Sequence, residues 1–169
     1  YLYTFHNIKK EDELALKILN HKLGESANSI LFRELREEKG LAYDIYTHMD
    51  MSSAVKTLYI YTAVSEENIE EALSIIDDCI LRIKNETIIF NDETVTLMKK
   101  VLKTAVASTM EDSTDLCNYV VHQCLDEEDI YEFVSDMRNM ENIKKDKIYQ
   151  TARLVLNNPT IHILKAVAD

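Results

Sequence analysis

The stretch Leu35-Arg36-Glu37-Glu38-Lys39-Gly40-Leu41-Ala42-Tyr43 is the most informative part of the sequence, because it surrounds one of only two glycines in the chain. Apolar side chains before the glycine recur at helical spacing, whereas residues from Ala42 onward alternate as in a strand. Gly40 stands where a helix needs a left-handed residue, which glycine adopts without strain. The stretch therefore predicts a helix that ends at a glycine turn and leads directly into a strand.

The residues that precede this stretch predict one strand and two helices. Hydrophobic periodicity gives the strand from Leu2 to Ile8, a helix from about Glu11 to Leu23 that Gly24 ends, and a second helix over roughly Ala27 to Lys39. The residues that follow predict a β-hairpin of Ala42 to Met49 and Val55 to Val64, joined by Asp50-Met51-Ser52-Ser53.

The second hairpin strand should have one aliphatic and one tyrosine-rich face. Strict alternation places Leu58, Ile60 and Val64 on one side with Thr62, and the opposite side then carries Thr57, Tyr59, Tyr61 and Ala63. We expect the aliphatic side to meet the helices.

The rest of the chain is predicted to be helical up to a last strand. Ser65-Glu66-Glu67 is a strong helix start, in which the serine hydroxyl could cap a backbone amide. An apolar stripe follows at Ile69, Leu73, Ile76, Ile80 and Ile83. A further helix is expected from Asn91-Asp92-Glu93, with these residues inward: Leu97, Met98, Val101, Leu102 and Ala105. Three more helices are expected from Asp112-Ser113 to Leu125, over Ile130 to Met140 and over Ile143 to Leu156. The last predicted element is a strand over Thr160 to Val167.

This order of elements predicts an α+β fold, a two-layer sandwich of a mainly antiparallel sheet with helices packed on one face. At 169 residues the chain suits a single domain, 1–169, and its start at Tyr1 in a strand-like pattern suggests a domain excised from a larger protein.

Composition excludes some classes of partner. The formal net charge of -11 opposes binding to nucleic acid or to anionic membranes, and no apolar run reaches the roughly 18 residues of a membrane span. Three cysteines, an odd number, do not suit a disulfide scaffold and favour a reducing compartment, so we expect a soluble, cytoplasmic protein. Cys117 and Cys124 are expected to be small core residues.

No constellation for catalysis is present in the sequence. The histidines lie on separate predicted elements with no pair at three or four residues, so we expect no metal site and no catalytic residue in this chain: His6, His21, His48, His122 and His162. We expect the last of these on the solvent side of its strand, and those at 21 and 122 on helix surfaces.

The glycine stretch, together with Leu23-Gly24-Glu25-Ser26-Ala27-Asn28-Ser29-Ile30-Leu31-Phe32, resembles the opening of the C-terminal half of pitrilysin-type, insulinase-like zinc peptidases. The usual wording there is Leu-Gly-Gly-Gly, a small polar run, Leu-Phe, then Leu-Arg-x-x-x-Gly-Leu-Ala-Tyr. The resemblance implies a metallohydrolase-like half-domain in which Arg36 and Tyr43 bind the peptide substrate. It further implies that zinc belongs to a separate N-terminal half-domain, the partner of this one, in a peptidase that could form homodimers.

Other interpretations remain open at the level of sequence. Arg36 could simply be a charge that stabilises a helix C-terminus, and Tyr43 a surface tyrosine. The chain could be a non-catalytic family subunit for assembly or peptide binding, because Glu25 and Ser26 replace two of the usual glycines. It could also be an acidic interaction domain that binds a partner through Tyr59 and Tyr61.

Overall fold

The computed structural model describes residues 1–51 and 55–165 as a sheet with a layer of helices. Within these ranges, the strands are β1 (Leu2–Phe5), β2 (Ala42–Asp50) and β3 (Lys56–Val64). The α-helices are α1 (Lys10–Asn20), α2 (Ile69–Lys84), α3 (Asp92–Glu111), α4 (Ser113–Leu125), α5 (Glu132–Asn142) and α6 (Lys145–Val155). Two π-helical segments, His21–Glu25 and Phe32–Glu38, and a 3-10 turn, Glu66–Asn68, complete the described elements.

The sheet has the order β1-β3-β2, and both pairings are antiparallel. The predicted hairpin is confirmed to within one residue at the ends of each strand. Its connection was expected over Asp50 to Ser53, of which Asp50 belongs to β2; residues 52–54 lie outside the described ranges.

The helices cover one face of the sheet, as the alternation in β3 predicts. Tyr3 of β1 and Leu58 and Ile60 of β3 are buried against the helical layer, whereas Tyr61 is exposed on the other side. The predicted α+β architecture is confirmed.

The segment around Gly24 corrects the prediction that this glycine ends the first helix. Helix α1 passes into the π-helical segment His21–Glu25, so the glycine lies inside helical structure. A Cβ atom at this position would lie 2.4 Å from Thr47 Cγ2 and 3.0 Å from the Thr47 backbone nitrogen. Glycine is therefore required because the helix approaches β2 too closely for any side chain.

Both terminal strands are shorter than predicted. Strand β1 ends at Phe5 rather than Ile8, because Asn7 adopts a left-handed conformation with φ of 51°. The predicted strand Thr160 to Val167 is wrong for residues 161–165, since only Thr160 forms a bridge, with Leu2. Ile161 and Ile163 are exposed and so gain no burial from strand formation; residues 166 and 167 lie outside the described ranges.

The helix starts are partly as predicted. Asn91 and Asp112 cap α3 and α4 by accepting hydrogen bonds from backbone amides. Ser65 does not cap an amide; its Oγ accepts a hydrogen bond from Asn68 Nδ2 at 2.9 Å instead. The second predicted helix begins only at Ile30, and α5 and α6 keep their predicted places with shifted ends.

The inward face predicted for α3 is only partly correct. Met98 is buried, but Leu97, Val101 and Ala105 are exposed, because the described neighbours contact only a narrow stripe of this long helix. Within the described ranges, no helix is long and apolar enough to cross a membrane.

The prediction that Cys117 and Cys124 belong to the core is wrong. Both thiols are exposed on α4, whose side chains are largely solvated, whereas Cys79 on α2 is fully buried. Burial, with a smaller contribution from the Glu34 charge, raises the pKa of the Cys79 thiol to about 12. This thiol therefore remains protonated and unreactive at neutral pH.

Gly24→Ala should lower the free energy of unfolding by about 1–3 kcal/mol, the usual effect of forcing atoms into a packed site. Urea unfolding of Gly24→Ala, Thr47→Ala and the double variant measures the coupling. We expect the double variant to be less destabilised than the sum of the two single variants, because the Thr47 side chain contributes the two nearest atoms. Gly40→Ala is the control, since its Cβ meets nothing within 4 Å and its effect should add to that of Thr47→Ala. Additive effects of Gly24→Ala and Thr47→Ala would contradict the close contact.

Two of the three thiols should react quickly with a disulfide reagent under native conditions, and the third only after unfolding. Absorbance of the released chromophore counts the thiols. In Cys79→Ala the two fast thiols should remain, and unfolding should release no further thiol. Three fast equivalents in the folded protein would refute the buried position of Cys79.

Candidate functional site

Arg36 lies in the last turn of the π-helical segment Phe32–Glu38. Ile30, Leu31 and Leu35 anchor this part of the chain in the core, and Arg36 points to the exposed side. Its guanidinium carbon lies 5.1 Å from the centre of the Phe32 ring, a cation–π distance. π-Helical turns are rare in proteins, and those that occur often lie at functional sites.

Two carboxylates of the same segment, those of Glu34 and Glu38, are paired with other arginines. Arg33 lies 3.4 Å from Glu34 and 3.4 Å from Glu38, and Arg82 lies 3.2 Å from Glu34. Among the residues that the structure describes, no carboxylate oxygen lies within 4.0 Å of an Arg36 nitrogen. The Arg36 guanidinium can therefore offer its N–H groups to a ligand.

A tight turn joins the segment of Arg36 to the strand of Tyr43. Gly40 has φ of +65°, so the left-handed turn predicted from the sequence is confirmed. The Leu41 amide donates a hydrogen bond to the Leu35 carbonyl at 2.8 Å. This bond holds the backbone beside Arg36 against the backbone that leads into β2.

Tyr43 lies at a β-bulge. The register between β2 and β3 shifts between Ala42, which pairs with Val64, and Asp44, which pairs with Ala63, leaving Tyr43 as the extra residue. Tyr43 is 76% exposed, and Asp44 beside it is exposed as well. A bulge bends the strand and redirects a side chain, and bulges are frequent next to active sites. Sequence reasoning did not find this bulge, because regular alternation gives no sign of an extra residue.

The two predicted substrate-binding residues thus lie on either side of one structured turn, and both side chains are exposed. Arg36 can donate two parallel charge-assisted hydrogen bonds, and Tyr43 can donate one from its phenol. Such donors suit carbonyl oxygens, particularly oxygens on which negative charge develops during a reaction.

The outward face of the sheet carries aromatic side chains beyond those identified from sequence. Tyr46 of β2 stacks on Tyr61 of β3, with ring centres 5.0 Å apart and planes 29° apart. Tyr59 contacts Tyr46 edge-on at 6.1 Å and His48 at 5.3 Å. Sequence reasoning selected Tyr59 and Tyr61; the alternation of β2 after the bulge is the signal that adds Tyr46 and His48.

Metal-ligating side chains do not converge in the described part of the chain. No group of three histidine, cysteine, aspartate or glutamate side chains there could hold a metal ion. His21 Nδ1 lies 3.8 Å from Glu25 Oε2 and is half-buried, while His122 and His162 are exposed. The described residues therefore do not fit a zinc ion.

Comparison with known proteins identifies relatives among zinc proteases. The chain is 26% identical over 146 residues to the Bacillus subtilis (strain 168) protein named "Probable inactive metalloprotease YmfF", a match that covers 86% of this chain and 33% of that protein. It is 24% identical over 155 residues to the Mycobacterium tuberculosis (strain ATCC 25618 / H37Rv) protein named "Uncharacterized zinc protease Rv2782c", covering 87% of this chain and 33% of that protein. The chain thus spans about a third of the length of these relatives.

Solved structures share the fold. A protease from Helicobacter pylori superimposes with a TM-score of 0.76 at 19% identity, over 92% of this chain and 37% of that one. A peptidase M16 inactive domain from Pseudomonas fluorescens gives a TM-score of 0.76 at 18% identity, over 92% and 37% of the two chains.

The family match agrees with the order of elements and with the glycine stretch. The family described as "Peptidase M16 inactive domain" matches residues 1–102, which include both π-helical segments, the hairpin and α2. Because this match covers more than half of the sequence, the chain belongs to the peptidase M16 inactive-domain family.

Proposed function

We propose that the chain is the substrate-binding half of a zinc-dependent endopeptidase and that Arg36 and Tyr43 hold the peptide beside the bond to be cleaved. The supporting observation is the pair of exposed donors on either side of the Gly40 turn, one of them a guanidinium with no carboxylate within 4.0 Å in the described ranges. Zinc and the general base would come from a separate half, in the same or another chain. A cytoplasmic location and a homodimer are parts of the same proposal.

The chemical role follows from the geometry of the donors. Attack of zinc-activated water on a peptide carbonyl places negative charge on the carbonyl oxygen. A forked guanidinium stabilises that charge more than it stabilises the neutral carbonyl, which is the condition for an increase in turnover. The phenol of Tyr43 would orient the peptide by a neutral, weaker hydrogen bond.

A second candidate is a non-catalytic subunit for assembly or peptide binding. One relative is named "Probable inactive metalloprotease YmfF", whereas another is named "Uncharacterized zinc protease Rv2782c". Glu25 and Ser26 replace glycines of the usual motif, although both Arg36 and Tyr43 are present. Peptide cleavage by the full-length parent protein separates the two candidates, since a non-catalytic subunit cleaves nothing by itself.

Arg36→Ala in the full-length parent should lower the turnover of a peptide substrate by roughly 10²–10³-fold, the usual effect of removing one such donor. Tyr43→Phe should lower turnover less, and Arg36→Lys should rescue only in part because an ammonium lacks the planar fork. Steady-state kinetics of peptide cleavage measures these effects.

Arg33→Ala is the matched control for Arg36→Ala. Arg33 is a neighbouring exposed arginine, but its charge is paired with Glu34 and Glu38. We expect near-normal turnover for this control and near-normal thermal unfolding for all the variants. Unchanged turnover in Arg36→Ala, or a loss accompanied by unfolding, would return Arg36 to the role of a helix-terminal charge.

The chain by itself should bind no stoichiometric zinc and cleave no peptide, because the described residues offer no ligand set for a metal. After dialysis against a buffer with trace zinc, elemental analysis should give well under one zinc per chain. The full-length parent, treated in the same way, should retain about one. Tightly held zinc in this chain would contradict the proposal that zinc binds to the other half.

A further inference from the structure

The outward face of the sheet has a composition that differs from the rest of this acidic domain. Register places ten residues on this face: Leu2, Thr4, Asp44, Tyr46, His48, Asp50, Thr57, Tyr59, Tyr61 and Ala63. Not one of these described positions holds lysine or arginine, although the whole chain contains 19 of them. The side chains of Asp44, Tyr46, His48 and Tyr61 on this face are exposed.

The tyrosine platform, defined as Tyr46, Tyr59, Tyr61 and His48, occupies the middle of this face. Tyr46 and Tyr61 pair directly across the two strands and stay 38% and 45% exposed. Their stacking fixes the rings without burying them. Partial desolvation by its neighbours and the adjacent Tyr59 raise the pKa of the Tyr46 phenol, which remains neutral at physiological pH. Each ring of a stacked pair keeps one outer face, and an exposed, electron-rich outer face attracts organic cations.

A carboxylate lies next to the platform. Asp44 precedes Tyr46 by two positions on the same face, is exposed and has no basic side chain within 4.0 Å in the described part of the chain. A guanidinium or ammonium against an outer face of the Tyr46–Tyr61 pair could therefore meet a carboxylate nearby. A negatively charged side chain would be repelled there.

The platform is continuous with the proposed Arg36 and Tyr43 site. Tyr43 and Tyr46 are three residues apart on β2, which corresponds to about 10 Å in a strand. An extended peptide of about four residues spans that distance. One peptide can thus contact Tyr43 with its backbone and the platform with a side chain farther along.

We propose that the tyrosine platform is a specificity site for a lysine or arginine side chain of the bound peptide, located a few residues from the scissile bond. The proposal rests on the proposed function in taking a peptide as the ligand and in placing its scissile bond beside Arg36 and Tyr43. The aromatic faces bind the cation, and Asp44 supplies the counter-charge.

Three capped heptapeptides, Ala-Val-Thr-Xaa-Val-Thr-Ala with arginine, citrulline or glutamate at Xaa, test the platform. Citrulline has nearly the shape of arginine without its charge. Titration of the isotope-labelled chain followed by NMR yields each Kd and the residues whose signals move. The arginine peptide should bind about three- to tenfold more tightly than the citrulline peptide, and the glutamate peptide most weakly.

Variants assign this preference to the platform. Tyr61→Leu should abolish the preference for arginine over citrulline, and Tyr61→Phe should keep it because the ring remains. Asp44→Asn should reduce it. Tyr131→Leu is the matched control, since this tyrosine is 66% exposed just before α5. A preference that survives Tyr61→Leu, or the absence of binding by all three peptides, overturns the proposal.

Arg36→Ala separates this proposal from the proposed function. If both are correct, Arg36→Ala weakens all three peptides by a similar factor and leaves the preference for arginine intact. An intact preference with no effect of Arg36→Ala would support the platform and contradict the proposal that Arg36 holds the peptide before the reaction. Sedimentation of wild type and Tyr61→Leu adds a further check, because a dimer that Tyr61→Leu dissociates would assign the face to a second copy of the chain and overturn the proposal.

Discussion

The left-handed turn at Gly40 is the constraint on which the candidate site depends. Without Cβ at this residue, the chain reverses from the π-helical segment into β2 at φ of +65°, and the bond from the Leu41 amide to the Leu35 carbonyl closes the turn. Buried Leu35 anchors one side and buried Ala42 the other. The exposed residues next to these anchors, Arg36 and Tyr43, are consequently held by a rigid backbone rather than by a free loop.

The second glycine solves a different physical problem. Gly24 lets the end of the first helical segment lie against Thr47 of β2, so that helix and sheet meet without a side chain between them. Gly40 is thus needed for a left-handed backbone conformation, whereas Gly24 is needed because no space is left for a side chain. Both act on β2, the strand that carries Tyr43 and Tyr46, and together they fix its position relative to the helices.

Charge is distributed so that the candidate site differs from its surroundings. Arg33 pairs with Glu34 and Glu38, and Arg82 pairs with Glu34 as well, while Arg36 is left without an acidic partner in the described ranges. The outward sheet face has the opposite character, with aromatic rings and carboxylates. A peptide that crosses both regions would meet a donor for its backbone and an acceptor surface for a basic side chain.

The sequence by itself determined the α+β class, the hairpin and the Gly40 turn, because each depends on local periodicity or on a residue type with one physical explanation, and the resemblance of its motif indicated the family. It also selected Arg36 and Tyr43 as candidate residues through the motif. Only the tertiary structure decided features that depend on contacts distant in sequence. Gly24 serves a close approach to Thr47 rather than a helix end, Tyr43 occupies a bulge, and Cys117 and Cys124 are exposed on a helix with few neighbours. An apolar stripe shows which face of a helix could be buried, but burial also requires a neighbour to cover it, and no local pattern records where that neighbour lies.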